Sequence, residues 1–251
     1  MSGHSHWATI KHKKGALDAK RGKHWSKLSR AIIIAARSGG GDPNMNLKLR
    51  YAIDKAKEAL MPKDTIERAI KRGTGELGAE ILDEVTYEGF GPGGIAILVD
   101  ILTDNRNRTN GEVRKFYERS GGNMGGPGCV GYLFDRKGLI AIPAKGVDED
   151  NLMMIALDSG AEDLRLQGDY FEVITDPTQF MKVQEAIRAN HFEVSNADIP
   201  MLPKATLDPP DVETAMRVIR LMETMNDYDD TQNVYSNMTM TDAVMAELGK
   251  E

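Results

Sequence analysis

The sequence holds one cysteine, Cys129, so no disulfide can form within the chain and a reducing compartment such as the cytoplasm fits. Long apolar runs are missing as well. The longest, Ala31–Ala36 and Ile95–Val99, fall far short of the roughly 20 residues that a membrane-spanning helix needs. The opening Met-Ser-Gly-His-Ser-His-Trp has none of the apolar stretch of a secretory signal, so neither membrane nor export is expected. Metal chemistry is equally thin. His4, His6, His12, His24 and His191 do not combine with Cys129 in any zinc-ligand spacing. In Asp227-Tyr-Asp-Asp230 the glycine and glutamate of a calcium loop are replaced by Gln232 and Met238, and the stretch reads as a solvated turn.

Nucleotide motifs fail on context. Gly89-Phe-Gly-Pro-Gly-Gly94 matches a dinucleotide fingerprint by letter, but Pro92 sits inside it and a strand follows, so a hairpin is expected. Gly121–Gly128 lacks the Gly-Lys-Ser/Thr ending of a phosphate loop. It is either a plain connector or a partner-binding tip that displays Met124. No nucleophile, base and orienting residue stand in a recognisable pattern. The sequence therefore points to no enzyme, no cofactor, no metal and no small-molecule substrate.

What is present is a division of charge. Residues 1–73 carry 17 Lys and Arg against 6 Asp and Glu, whereas residues 74–251 carry 15 against 32. A net charge of −6 thus conceals a strongly basic segment, the usual footprint of a nucleic-acid partner. Both tryptophans lie in that segment. A helix from about Ala16 to Ser38 places Trp25, Leu28, Ile32 and Ala35 on a buried stripe, and Lys20, Lys23, Lys27 and Arg30 on a cationic face. Gly22 costs about 1 kcal/mol in a helix, so either the helix runs through it or it breaks there and leaves Met1–Arg21 as an arm. On that arm Trp7 is the candidate for stacking on a base, with Lys11, Lys13, Lys14 and Arg21 as phosphate contacts.

The glycines and proline of Gly39–Pro43 end the first helix. Leu49, Ala52, Ile53, Ala56 and Leu60 mark a second. Asp64, with Glu67 as its capping-box partner, opens a third that stops at Gly73 and carries Arg68, Lys71 and Arg72. Beyond it, strands around Val85–Tyr87 and Ile95–Leu102 precede a helix capped by Asp104 or Asn105. Arg106 and Arg108 at its start are either a secondary phosphate contact or ion-pair partners of nearby acids. A strand is expected over Val130–Phe134. Strand, helix, strand, strand, helix and strand follow at 139–142, 149–159, 163–166, 170–175, 178–189 and 192–197, the order of a ferredoxin-like βαββαβ unit. A helix over Asp211–Met225 and a strand near Asn233–Ser236 return to the earlier set. The fold class is α+β, with a helical nucleic-acid-binding bundle at 1–75 and an acidic αβ domain at 80–136 plus 200–238. An inserted ferredoxin-like domain occupies 137–199 and a polar tail 239–251.

Longer motifs carry a resemblance. Gly3–Lys14, Asp18–Lys23, Gly39–Pro43, Met61–Asp64, Ile66–Gly75, Tyr87–Gly94, Asp104–Thr109 and Asp229–Tyr235 together resemble the YebC/PmpR family over nearly the whole chain. The resemblance implies a three-domain α/β cytoplasmic protein, usually described as a DNA-binding transcriptional regulator. A second role implied is translational: mitochondrial relatives activate translation, and bacterial members are linked to ribosomes stalled on proline-rich stretches. DNA or ribosomal RNA is then the expected partner of the basic segment. The chain departs from the pattern at His6, where lysine is common, and at Leu60, where asparagine is common. It departs again in a longer polar tail after Met240. Because it begins almost on the signature, a bacterial type without a mitochondrial presequence is expected.

Overall fold

The computed structural model describes residues 19–78 and 82–249, the first three of these by backbone alone. Two compact units divide them: 19–129 with 217–234, and 130–216 with 235–249.

The first unit opens with helix α1 (Ala19–Gly39). It runs through Gly22 without a break, which decides between the two readings: hydrogen bonds on both sides of one exposed glycine outweigh its propensity cost. Ile32 to Ala36 are buried, and Trp25 packs partly on the same core while its Nε1 donates to Ala59 O at 3.0 Å. Helix α2 (Leu47–Glu58) starts at Asn46. That buried amide accepts from Leu49 N at 3.0 Å and donates to Ala35 O and Gly40 O at 2.8 and 2.9 Å, so one side chain caps α2 and ties it to the end of α1.

Helix α3 (Lys63–Gly73) begins earlier than the capping box would place it. Extended Pro62 is the N-cap, and its carbonyl accepts from Thr65 N and Ile66 N at 3.0 and 3.2 Å. Asp64 lies instead in the first turn, where a carboxylate still favours the helix dipole. At the other end a Cβ on Gly73 would lie 2.5 Å from Ile33 O and 2.7 Å from Ala36 Cβ. Only glycine allows α1 and α3 to approach this closely.

Strands β1 (Asp83–Phe90) and β2 (Ala96–Thr103) form an antiparallel hairpin across the Gly91–Gly94 turn, as the failed dinucleotide motif implied. Helix α4 (Arg106–Arg119) follows, capped by Asn105, which accepts from Arg108 N at 3.0 Å. The Gly-rich loop contributes the two-residue strand β3 (Asn123–Met124), paired with Phe90 and Gly89. Pairing buries Met124, so it is not a displayed tip. Helix α7 (Val212–Asp227) and strand β10 (Thr231–Ser236) return late in the chain, giving a sheet of order β10-β2-β1-β3.

In the second unit the expected strand over Val130–Phe134 is a 3-10 turn, Gly131–Leu133. It leads into β4 (Phe134–Arg136), which pairs with β9 (Met201–Pro203). Between them lie β5 (Gly138–Pro143), α5 (Glu149–Ser159), β6 (Ala161–Gln167), β7 (Tyr170–Thr175), α6 (Phe180–Ala189) and β8 (Asn196–Asp198). The antiparallel order β6-β7-β5-β8 is that of a ferredoxin-like unit. Strand β8 is shorter than expected, because His191 takes a left-handed turn (φ 64°) after α6. The tail is not wholly irregular either: α8 (Asp242–Leu248), capped by Thr241, buries Val244.

Candidate nucleic-acid interface

The cationic residues of the helical segment fall into two groups with opposite surroundings. On α1, Lys23, Lys27 and Arg30 share a face, as their spacing requires, and that face meets the end of α7 and the loop after it. Lys23 Nζ donates to Asp227 O at 3.3 Å and lies 3.7 Å from the Asp229 carboxylate. Lys27 Nζ donates to Asn226 O at 2.6 Å. These are the unsatisfied carbonyls of a helix C-terminus, where positive charge is favoured by the dipole as well as by direct bonding.

Arg30 reaches further in. Its Nη1 donates to Asp229 O at 2.9 Å, to Leu102 O at 3.3 Å and to Asp230 Oδ1 at 2.8 Å. Asp230 is buried, at 3% exposure, and its second oxygen accepts from Arg108 Nη2 at 2.7 Å and from the hydroxyls of Thr103 and Thr109 at 3.0 and 2.9 Å. A carboxylate removed from water is costly unless it is fully bonded. Burial pushes its proton affinity up, but the bonds from Arg108, Thr109, Arg30 and Thr103 outweigh this and hold Asp230 below the ordinary carboxylate range. Arg108 is held above its ordinary range in turn, chiefly by Asp230, then by Tyr228 and Asp104.

Two sequence expectations change here. Asp230 does not belong to a solvated turn; it is the hub of a buried network that joins α1, the end of β2 and the start of α4. Of the two readings for Arg106 and Arg108, the ion-pair one describes the geometry: Arg106 Nε lies 2.9 Å from Asp83 Oδ2, and Arg108 Nη2 lies 2.8 Å from Asp104 Oδ1 in addition to Asp230.

The second group lies on α3. Ile66 and Ala69 are buried on its inner side, and Arg68, Lys71 and Arg72 are exposed on its last two turns. Arg68 and Lys71 form no ion pair among the described residues. Arg37, which sequence reasoning left out of the candidate set, is also exposed and donates to Leu82 O at 3.1 Å. It follows Ala36, the residue that Gly73 nearly touches, so the close crossing of α1 and α3 brings its backbone beside the end of α3. Lys20 and Arg21 lie in the first turn of α1. Trp7, Lys11, Lys13 and Lys14 lie outside the described residues.

The described residues hold no group of three or more His, Cys, Asp or Glu placed to bind a metal ion. None of their helices is long and apolar enough to cross a membrane.

Comparison with known proteins covers the whole length. Residues 5–76 match the model of the TACO1/YebC protein N-terminal domain, and residues 82–238 match that of the TACO1/YebC second and third domain. A protein of Geobacter sulfurreducens is 50% identical over 248 residues, covering 99% of this chain and 100% of its own. One from Desulfatibacillum aliphaticivorans is 52% identical over 247 residues, 98% of this chain and 100% of its own. Both are named probable transcriptional regulatory proteins. The crystal structure of a conserved hypothetical protein from Aquifex aeolicus, 47% identical, superposes with a TM-score of 0.83 over 93% of this chain and 96% of the other.

Proposed function

Since the chain belongs to the TACO1/YebC family, we propose that it is a non-catalytic, DNA-binding transcriptional regulator that grips the phosphate backbone through the outer face of α3. The observation that carries this reading is the contrast between the two cation groups. Arg68 and Lys71 stand exposed, without an ion pair among the described residues, on a helix whose opposite side is locked into a core and which also carries the exposed Arg72, while the α1 cations are engaged by α7. A phosphate chain requires side chains that are held in place yet open to solvent, and α3 supplies them. Lys20 and Arg21 extend the same basic segment. Lys23, Lys27 and Arg30 act one step removed, by fastening α1 and with it the helix that packs on it. The names of the relatives favour transcription over the ribosomal alternative.

The test is fluorescence anisotropy with a labelled duplex DNA of about 30 base pairs and an RNA duplex of the same sequence. Reversal of Arg68, Lys71 and Arg72 to Glu is expected to weaken DNA binding by at least about tenfold, because three phosphate contacts become repulsive. Unchanged affinity in that variant, with its fold intact by circular dichroism, would sink the assignment of this surface. Tighter binding to RNA than to DNA would overturn the choice of polynucleotide.

A further inference from the structure

Strand β6 is the outermost strand of the second unit's sheet, with β7 on one side and, among the described residues, no strand on the other. An open edge is a template for pairing, and proteins commonly blunt it with lysine, proline or a bulge. Ala161-Glu-Asp-Leu-Arg-Leu-Gln167 contains no lysine and no proline. Its one irregularity lies between Ala161 and Asp163, leaving Asp163–Gln167 in regular register with β7. Large apolar side chains lie exposed nearby: Leu166 on β6 at 55%, and Met154 and Leu157 at 58% and 46% on α5, the helix that leads into β6.

The charges on β6 select both the occupant and its register. Asp163 and Arg165 point to one face, opposite Ile174 and Glu172 of β7; Leu164 and Leu166 point to the other, opposite Val173 and Phe171. When two identical strands pair antiparallel about a two-fold axis normal to the sheet, each face is preserved, so the axis must pass through a residue. An axis through Asp163 would set two carboxylates against each other, and one through Arg165 two guanidinium groups. An axis through Leu164 sets Asp163 of each strand against Arg165 of the other, twice, with leucine facing leucine.

We propose that β6 pairs antiparallel with β6 of a second copy of this chain about an axis at Leu164, forming a continuous sheet closed by two Asp163–Arg165 pairs. In the single chain Asp163 Oδ2 accepts from Arg165 Nε at 2.6 Å and Asp163 Oδ1 from Leu164 N at 2.9 Å, so association exchanges the first bond for two cross-strand pairs and frees the Leu164 amide at the axis.

Sedimentation velocity of the full chain over a wide concentration range is expected to show a reversible dimer. D163R is expected to raise the dimer Kd by about tenfold or more, because both cross-strand pairs become like-charged. R165D is expected to do the same, and the double swap D163R/R165D to restore association close to the unaltered level, since complementarity is regained with the signs exchanged. Arg165 lies opposite Glu172, so R165D also perturbs the fold; D163R leaves that pair intact and is the primary variant. Hydrogen exchange supplies a readout without any substitution: β6 amides gain protection as protein concentration rises. A monomer at all concentrations would overturn the proposal, as would a dimer indifferent to D163R or β6 amides whose exchange ignores concentration.

Discussion

Leu60 holds a left-handed backbone, φ 56°, while its side chain is 74% exposed. The conformation is demanded by the end of α2. Leu60 N donates to Lys57 O and Met61 N to Ala56 O, both at 2.9 Å, the paired bonds of a Schellman motif, and Met61 is buried against the core as the motif favours. Glycine or asparagine suits that position. Replacing Leu60 with Gly is expected to stabilise the protein by about 1 kcal/mol, read as a raised urea midpoint with unchanged slope. Glu172 is strained in a different way. It lies on β7 at 3% exposure with Oε1 unbonded among the described residues, and burial pushes its pKa up to about 7, with only Arg165 opposing. A carboxyl raised in the folded state contributes most at low pH, and that contribution is lost as pH rises from the unfolded value through about 7. E172Q is therefore expected to gain up to about 3 kcal/mol over the natural chain at pH 8, with the gain fading towards pH 4.5 in urea unfolding at stepped pH. A constant gain across that range would show that desolvated charge is not the cause.

The elements of the first unit depend on Asp230, because its two oxygens serve α1, β2 and α4 together. Removing one member of a buried charged network leaves the others desolvated and unpaired. D230A is expected to cost about 3 kcal/mol, somewhat less than a fully enclosed pair would because Arg108 is 47% exposed. Asp230 is held below the ordinary range in the fold, so its contribution is present above the unfolded carboxylate value of about 3.9 and is lost as pH falls through the lower folded value. The gap between D230A and the natural chain should accordingly narrow below about pH 4 in chemical denaturation. A gap that persists into acid would mean that packing, not charge, sets the loss. The helices themselves were legible from apolar spacing and from glycine and proline punctuation. The hub was not. Arg30, Thr103, Arg108 and Asp230 are up to 200 positions apart, and no local pattern announces which carboxylate among 38 acids will be buried.

Over the whole molecule, a basic segment joined to an acidic remainder allows polyanion binding by a chain of net charge −6 only through a localised surface. If Lys20, Arg21, Arg68, Lys71 and Arg72 contact about five phosphates, DNA affinity is expected to fall by a few hundredfold between 50 and 200 mM salt. A shallow slope in an anisotropy titration would indicate that fewer cations engage. While the short strands β3, β4 and β9 and the helix α8 were not legible in it, the sequence alone determined the sign and place of the basic segment, the order of the longer helices and strands, and the ferredoxin-like topology. Each of these follows from local rules: charge composition, the periods of 3.6 and 2, and the backbone demands of glycine and proline. Only the tertiary structure decided which cations another element engages, that Met124 is covered, and that Asp230 binds elements together. Those outcomes depend on which distant surfaces meet: a lysine stays exposed on an open helix face and caps carbonyls when another helix ends against it.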